Sequence, residues 1–220
     1  MAISFFDLDR TLLAVNSGSL WIKSELRLGH ISSWQAMKAS LWITRYHLGF
    51  SAMDEVLHQA IRSLQGQDEA TIRARTHEFY EREVKGQLRP GAREAIKLHK
   101  NRGDKLVLLT SSSNYISEKV AEDLSLDAWL CNRFEVDAAG KYTGKALGDL
   151  CYGQGKVIHA RRYAQAQGIE LNQCVFYTDS WSDLPVMLEV GEPVAVNPDP
   201  RLKREARRRG WSVEDWGQPE

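Results

Sequence analysis

The residues of this chain best suited to chemistry are carboxylates, hydroxyls and one lysine, each placed at the end of an apolar run. Asp7, Asp9 and Thr11 follow the run containing Ile3, Phe5 and Phe6. In an extended backbone residues i and i+2 point the same way, so Asp7 and Asp9 are expected to project together from a strand. Open α/β sheets hold their ligands at that carboxyl end. Two adjacent carboxylates repel each other unless a cation or a proton lies between them. Asp179 and Asp183, four apart across an expected strand-to-helix turn, add to this charge. With Asp7 they form an oxygen-rich set suited to a hard cation such as Mg2+. Thr110 and the serines Ser111, Ser112 and Ser113 stand where another strand meets a helix N-terminus. Hydroxyls and N–H groups there can hold a phosphate. Lys156 follows Gly153-Gln154-Gly155 and can neutralise either a phosphate or the crowded carboxylates. Val157 stands where a Walker loop needs Ser or Thr, which excludes that motif. The plainer reading of Asp179 and of the hydroxyl run is helix capping, and that of D-x-D-x-T a polar turn.

Bulk properties narrow the field. A chain of 220 residues holds one domain with an insertion, or two small domains. With 29 basic and 29 acidic residues there is no global attraction for nucleic acid or an anionic membrane. Six of the nine residues in 201–209 are basic, a run that reads as a solvated helix face. No stretch reaches the ~18 apolar residues of a membrane span. The first ten residues lack a signal-peptide layout. Cys131, Cys151 and Cys174 are widely spaced and odd in number. They are expected as reduced thiols in a cytoplasm, neither a disulfide framework nor a zinc site.

The elements that must position these groups follow from periodicity. Residues 17–85 read as four consecutive helices: one over 17–28 capped by Ser17, one from Ser32 or Ser33 to Gly49, one opened by a Ser51/Asp54 capping box, and one opened by Asp68. Trp34, Met37, Leu41 and Ile43 fall near one face of the second. Trp21, Trp34, Trp42, Tyr46 and Phe50 are expected in the core of this bundle. After Pro90-Gly91, strands and helices alternate. Buried strands are expected at 105–109, ending at Thr110, and at 174–177, ending at Thr178-Asp179; shorter ones lie at 127–131 and 194–196. Ala138-Ala139-Gly140 marks a hairpin. Helices are expected over 92–100, up to Leu124, 156–167, 184–190 and 201–209. If the sheet is parallel, all the polar strand ends gather at one edge.

In order along the chain, DLDRT, LLTSS, GQGK and YTDSWSD resemble the four motifs of the haloacid-dehalogenase-like superfamily. The phosphoserine-phosphatase branch, subfamily IB, is the nearest in character. CNRFEVDAAGKYTGK resembles its short hairpin, and CYGQGK its lysine motif. The resemblance spans essentially the whole chain. It implies an α/β fold: a Rossmann-like three-layer core with a parallel sheet over 1–14 and 88–220, and an inserted α-helical (C1-type) cap over 15–87.

The same resemblance implies a phosphatase that works through an aspartyl-phosphate, with Mg2+ as cofactor and a small-molecule phosphate ester as substrate. Asp7 is then the nucleophile and Asp9 the general acid and base. Mg2+ is held by Asp7, the Asp9 backbone carbonyl and Asp179, with Asp183 in support. Thr110, Ser111 and Lys156 hold the phosphoryl oxygens. The alternatives are phosphotransfer to an acceptor other than water, and a catalytically idle binding module. Two positions depart from the branch. Asn16 replaces the Glu that meets the substrate ammonium, and Ser182 replaces the Asn of G-D-G-x-N-D. Both line the expected substrate pocket, and both weaken the case for phosphoserine.

Overall fold

The computed structural model describes residues 2–38, 41 and 53–219. Its centre is β1 (Ile3–Phe6), a strand with no exposed residue. Parallel neighbours flank it on both sides: β2 (Lys105–Ser113) and β3 (Ala128–Asn132) to one side, and β6 (Val175–Thr178), β7 (Glu192–Val196) and β8 (Ser212–Glu214) to the other. A strand covered on both faces must be apolar on both, which explains the continuous run of β1. Phe6, Leu106, Leu108 and Val196 pack with Ala92 and Ile96 of α4 (Pro90–Arg102) and with Ile116 and Val120 of α5 (Asn114–Leu124). On the other face, Ile3, Phe5, Val107 and Phe176 meet Val157, Ala160 and Ala164 of α6 (Gln154–Ala166), Val186 and Met187 of α7 (Leu184–Met187), and Leu202 and Ala206 of α8 (Pro200–Arg209). This is the expected Rossmann-like α/β core.

Inserted between β1 and β2 are α1 (Ser17–Arg27), a helical stretch at 33–38, α2 (Met53–Arg62) and α3 (Glu69–Phe79). A π-helical turn, Tyr80–Val84, then leads back to the core. Asp68 caps α3, accepting from the Thr71 N–H at 2.8 Å. Trp21 is edge-on to Phe79 at 5.2 Å. Trp34 is 68% exposed, and Met37 and Leu41 are exposed beside it. The expectation that Trp34 is bundle core is therefore corrected. Helical spacing aligned the three residues, but alignment alone does not supply a surface to pack against. Ile43, Gly49, Trp42, Tyr46, Phe50 and the Ser51 cap lie outside the described residues.

The hairpin of β4 (Phe134–Val136) and β5 (Tyr142–Ala146) forms a sheet of its own. It is bonded to the turn between α2 and α3, with Gly66 N–H to the Tyr142 carbonyl at 2.9 Å, Tyr142 N–H to Gln67 at 3.0 Å and Glu69 N–H to Gly140 at 2.9 Å. Two further differences from expectation have local causes. β2 continues past Thr110 to Ser113, because Ser113 pairs with Asn132 beyond an irregularity in the β2–β3 ladder. β8 went unforeseen, since a strand of three residues, two of them exposed, carries no apolar period. α8 presents its basic residues outward, and Glu205 pairs with both Arg208 and Arg209 at 2.6 Å. Among the described residues no helix is long and apolar enough to cross a membrane.

Candidate active site

The carboxyl ends of β1, β2 and β6 meet as the parallel topology requires. Asp7, one residue past β1, donates its N–H to the Tyr177 carbonyl at 2.9 Å. The chain then turns sharply through Leu8–Leu12, a π-type turn with Arg10 in the left-handed region at φ 61°. Strand alternation therefore does not place Asp9, because the strand has already ended. The turn carries the Asp9 carboxylate to α1 and β2, where Oδ1 accepts from the Ser17 N–H at 2.7 Å and Oδ2 from the Ser112 hydroxyl at 3.1 Å.

Lys156 is delivered by the first turn of α6 and is 2% exposed. Its Nζ lies 2.8 Å from both Asp7 Oδ1 and Asp183 Oδ2. Gly155 permits this placement. A Cβ there would stand 1.9 Å from the Leu150 carbonyl oxygen, so no other residue fits the loop as built. Thr178 at the end of β6 donates to the same Asp183 Oδ2 at 2.7 Å. Thr11 ties the two acidic loops together. It accepts from the Asp179 N–H at 2.9 Å and donates to Asp179 Oδ1 at 3.3 Å.

Burial dominates the electrostatics. It pushes the Asp7 carboxyl up to about 7, against the pull of Lys156 and with the push of Asp183. Asp179 is pushed up to about 8 by burial, then by Asp7 and Asp183. Asp9 is raised by burial, with the Ser17 and Ser112 hydrogen bonds opposing. Burial would depress Lys156, but Asp183 and Asp7 hold it above its ordinary value. Lys156 thus pairs with two of the three buried carboxylates, Asp7 and Asp183, and Asp183 Oδ1 is buried with no hydrogen-bond partner.

That orphaned oxygen and an all-oxygen, net-negative donor set fit a hard divalent cation. Asp183 is turned to Lys156 and Thr178, and among the described residues no three His, Cys, Asp or Glu side chains gather as a ligand cage. A cation here would therefore draw on Asp7, Asp179 and backbone oxygen, with the unpartnered Asp183 Oδ1 in support.

The other expected residues fall as follows. Thr110 is buried, and its hydroxyl accepts from the Ser112 N–H at 3.1 Å. Ser111 turns away and donates to the Cys151 carbonyl at 2.9 Å. Ser112, not singled out from the sequence, is the serine that reaches Asp9. The period of two along a strand puts Thr110 and Ser112 on one face and would have found it. Asn16, not Ser17, caps α1, with its Oδ1 accepting from the Ser19 N–H at 2.9 Å. The Ser182 hydroxyl lies 2.8 Å from that of Ser180, within its own turn.

This sheet, with its acidic carboxyl edge and its lysine, belongs to a phosphoric monoester hydrolase, as the names of its relatives also have it. The chain is a member of the haloacid dehalogenase-like hydrolase family, whose profile matches residues 4–188. It is 29% identical to phosphoserine phosphatase SerB1 of Mycobacterium tuberculosis, over 98% of this chain and 71% of that protein. It is 26% identical to the histidinol-phosphatase of Neisseria meningitidis serogroup C, over 96% of this chain and 97% of that one. A Bordetella pertussis protein of unknown function has the same fold, with a TM-score of 0.89 and 26% identity over 98% of both chains.

Proposed function

We propose that the protein is a Mg2+-dependent phosphatase of small phosphate esters that works through an aspartyl-phosphate on Asp7. The observation that carries this reading is the division of labour between two neighbouring carboxylates. Asp7 is held by a buried cation, Lys156, whereas Asp9 is held by neutral donors, Ser17 N–H and the Ser112 hydroxyl. A carboxylate beside an ammonium is disposed to attack. One raised by burial among neutral donors is disposed to carry a proton.

In this reading Asp7 attacks phosphorus in line, and the P–O bond to the leaving group breaks. Asp9 gives its proton to the departing alkoxide, then takes one from the water that cleaves the acyl phosphate. Thr110, Ser111 and Lys156 bind the phosphoryl oxygens through hydroxyl, backbone N–H and ammonium. Asp7, the Asp9 carbonyl and Asp179 would hold Mg2+, with Asp183 behind them. The ion supplies charge neutralisation for the phosphoryl group. The insertion over 15–87 acts as the cap that excludes water, and residues 1–14 and 88–220 act as the core.

Phosphoserine is not the preferred substrate in this reading. A buried ammonium needs a carboxylate partner, and Asn16 supplies neither charge nor, while it caps α1, a free Oδ1. The match to the Neisseria histidinol-phosphatase over nearly the full length of both chains puts histidinol phosphate beside phosphoserine in the test, although it too carries an ammonium that Asn16 leaves without a carboxylate.

A panel of phosphorylated metabolites with Mg2+, including both of these, tests the substrate. Phosphoserine should fall at least about 10-fold below the best ester in kcat/KM. If it heads the panel, the inference from Asn16 is wrong. An acid quench during turnover should trap a hydroxylamine-labile phosphoryl group on Asp7. A phosphoryl group on another residue, or turnover undiminished by EDTA, would overturn the mechanism.

A further inference from the structure

Arg89 is 4% exposed and lies outside the four motifs, at the point where the insertion rejoins the core. Its backbone N–H bonds to the Leu12 carbonyl at 2.9 Å, at the end of the turn that carries Asp9. Its side chain makes two further contacts. Nε donates to the Arg10 carbonyl at 3.3 Å, and Nη1 donates to the Gly217 carbonyl. Arg10 is the strained residue of the turn, a non-glycine at positive φ. Such a conformation costs of order 1 kcal/mol and persists only where its surroundings impose it.

The Gly217 carbonyl is itself well anchored. The Gly217 N–H bonds to Asp215 Oδ1 at 2.9 Å, and the preceding Trp216 is buried against Tyr177, ring centroids 5.2 Å apart. The Trp216 carbonyl accepts from the Gly91 N–H at 3.0 Å. Gly91 must be glycine, since a Cβ there would lie 2.5 Å from the Trp216 ring. The guanidinium therefore bridges a fixed strut, the C-terminal segment, and the turn that aims Asp9. Burial depresses the guanidinium below its ordinary value, and the carboxylates of Asp179 and Asp215 oppose that.

We infer that Arg89 is a positioning residue for phosphoryl transfer, clamping the Arg10 carbonyl to the C-terminal segment so that the turn after Asp7 keeps Asp9 in register. A guanidinium suits this role because its planar fork reaches two acceptors at once, which an ammonium on a flexible stem does not. The inference rests on the assignment of Asp9 to proton transfer. A turn free to relax would misplace that proton by a fraction of an ångström, which lowers the rate of the chemical step and leaves ground-state binding nearly intact.

The test uses the whole chain with Mg2+ and p-nitrophenyl phosphate, and normalises rates to folded protein. Arg89→Leu should lower kcat by about 30-fold or more with KM within about threefold, and Arg89→Lys should recover part of the loss. A chain shortened to end at Trp216 lacks the Gly217 acceptor. It should lose about three- to tenfold in kcat alone, and nothing further when combined with Arg89→Leu. Wild-type kcat in Arg89→Leu, a loss confined to KM, or additive effects of the two changes would overturn the inference. If Arg89→Leu does not fold, the shortened chain decides, and an unchanged kcat there overturns it. Failure of the phosphatase reading itself would look different: Asp7→Asn would retain activity whatever Arg89 does.

Discussion

Two buried polar networks sit at opposite ends of the same sheet, and they are built on opposite principles. At the amino end, Asp104 takes the Ala2 N–H on Oδ1 at 2.8 Å and His99 Nδ1 on Oδ2 at 3.0 Å, and His99 Nε2 lies 2.8 Å from the Tyr177 hydroxyl. An imidazole that donates to Asp104 and accepts from Tyr177 satisfies every polar atom in this chain. Phe6 stacks on Tyr177 at 5.0 Å and seals it from water. At the carboxyl end, Asp7 and Asp183 share one lysine, Asp179 is buried beside them, and Asp183 Oδ1 has no partner. In a low-dielectric interior a complete network stabilises, and an incomplete one is a liability unless a ligand completes it. The amino end holds the fold, and the carboxyl end is poised to bind.

The largest expected effect tests the binding end. Asp7→Asn should cut turnover of p-nitrophenyl phosphate by at least ~10³-fold, about 4 kcal/mol of barrier. It removes one of three crowded charges, so the melting temperature measured in EDTA should hold or rise. A marked fall in melting temperature would mean that the carboxylate was structural, and the contrast would break.

His99→Leu should do the reverse. It strands Asp104 Oδ2 and the Tyr177 hydroxyl, a loss of about 2–4 kcal/mol in denaturant unfolding. Its kcat per folded molecule should stay within about twofold of wild type. A large loss of kcat without loss of stability would merge the two networks into one.

The two ends should also respond oppositely to pH. Burial would raise Asp104, but the His99 and Ala2 hydrogen bonds hold it below its ordinary value. Its contribution to stability is thus present above the unfolded carboxylate pKa and is lost as pH falls through the folded one. Asp179, raised to about 8, binds a proton in the folded state that the unfolded chain has released. In EDTA, stability should therefore fall as pH rises from about 4 towards 8, as the folded state holds the extra proton. Asp179→Asn should flatten part of that slope, the rest coming from Asp7 and Asp9, also raised by burial, and Asp104→Asn should flatten the acid one. Melting curves across pH that ignore either substitution would remove that site from the comparison.

The smallest change sharpens the assignment of Asp9. Ser112→Ala deletes one of its donors, and a single hydrogen bond of about 1 kcal/mol corresponds to roughly fivefold in kcat. No change would show that Ser17 by itself holds the acid.

Much of this was readable from the chain because local chemistry and global fold agree where the motifs lie. The run of Ile3, Phe5 and Phe6 forms a buried strand in any α/β context, and it does so here. Asp68 as a cap and the Ala138–Gly140 turn likewise needed only neighbouring residues. Asp9 was placed at the right edge for the wrong reason. Alternation along a strand cannot foresee a π-type turn stabilised by Leu8–Leu13 pairing and the distant Arg89.

Residue types and their order along the chain determined the fold class, the edge at which the acidic groups gather and the identity of Lys156 as their counter-charge. These follow from period, chain order and charge, all local quantities. Contacts between residues far apart in the chain decided the rest. They turned Asp183 to Lys156, left Trp34 in solvent and bound the hairpin to the α2–α3 turn. Each depends on which surfaces meet after the chain has folded, and two residues 100 positions apart carry no mark of their meeting until the sheet brings them together.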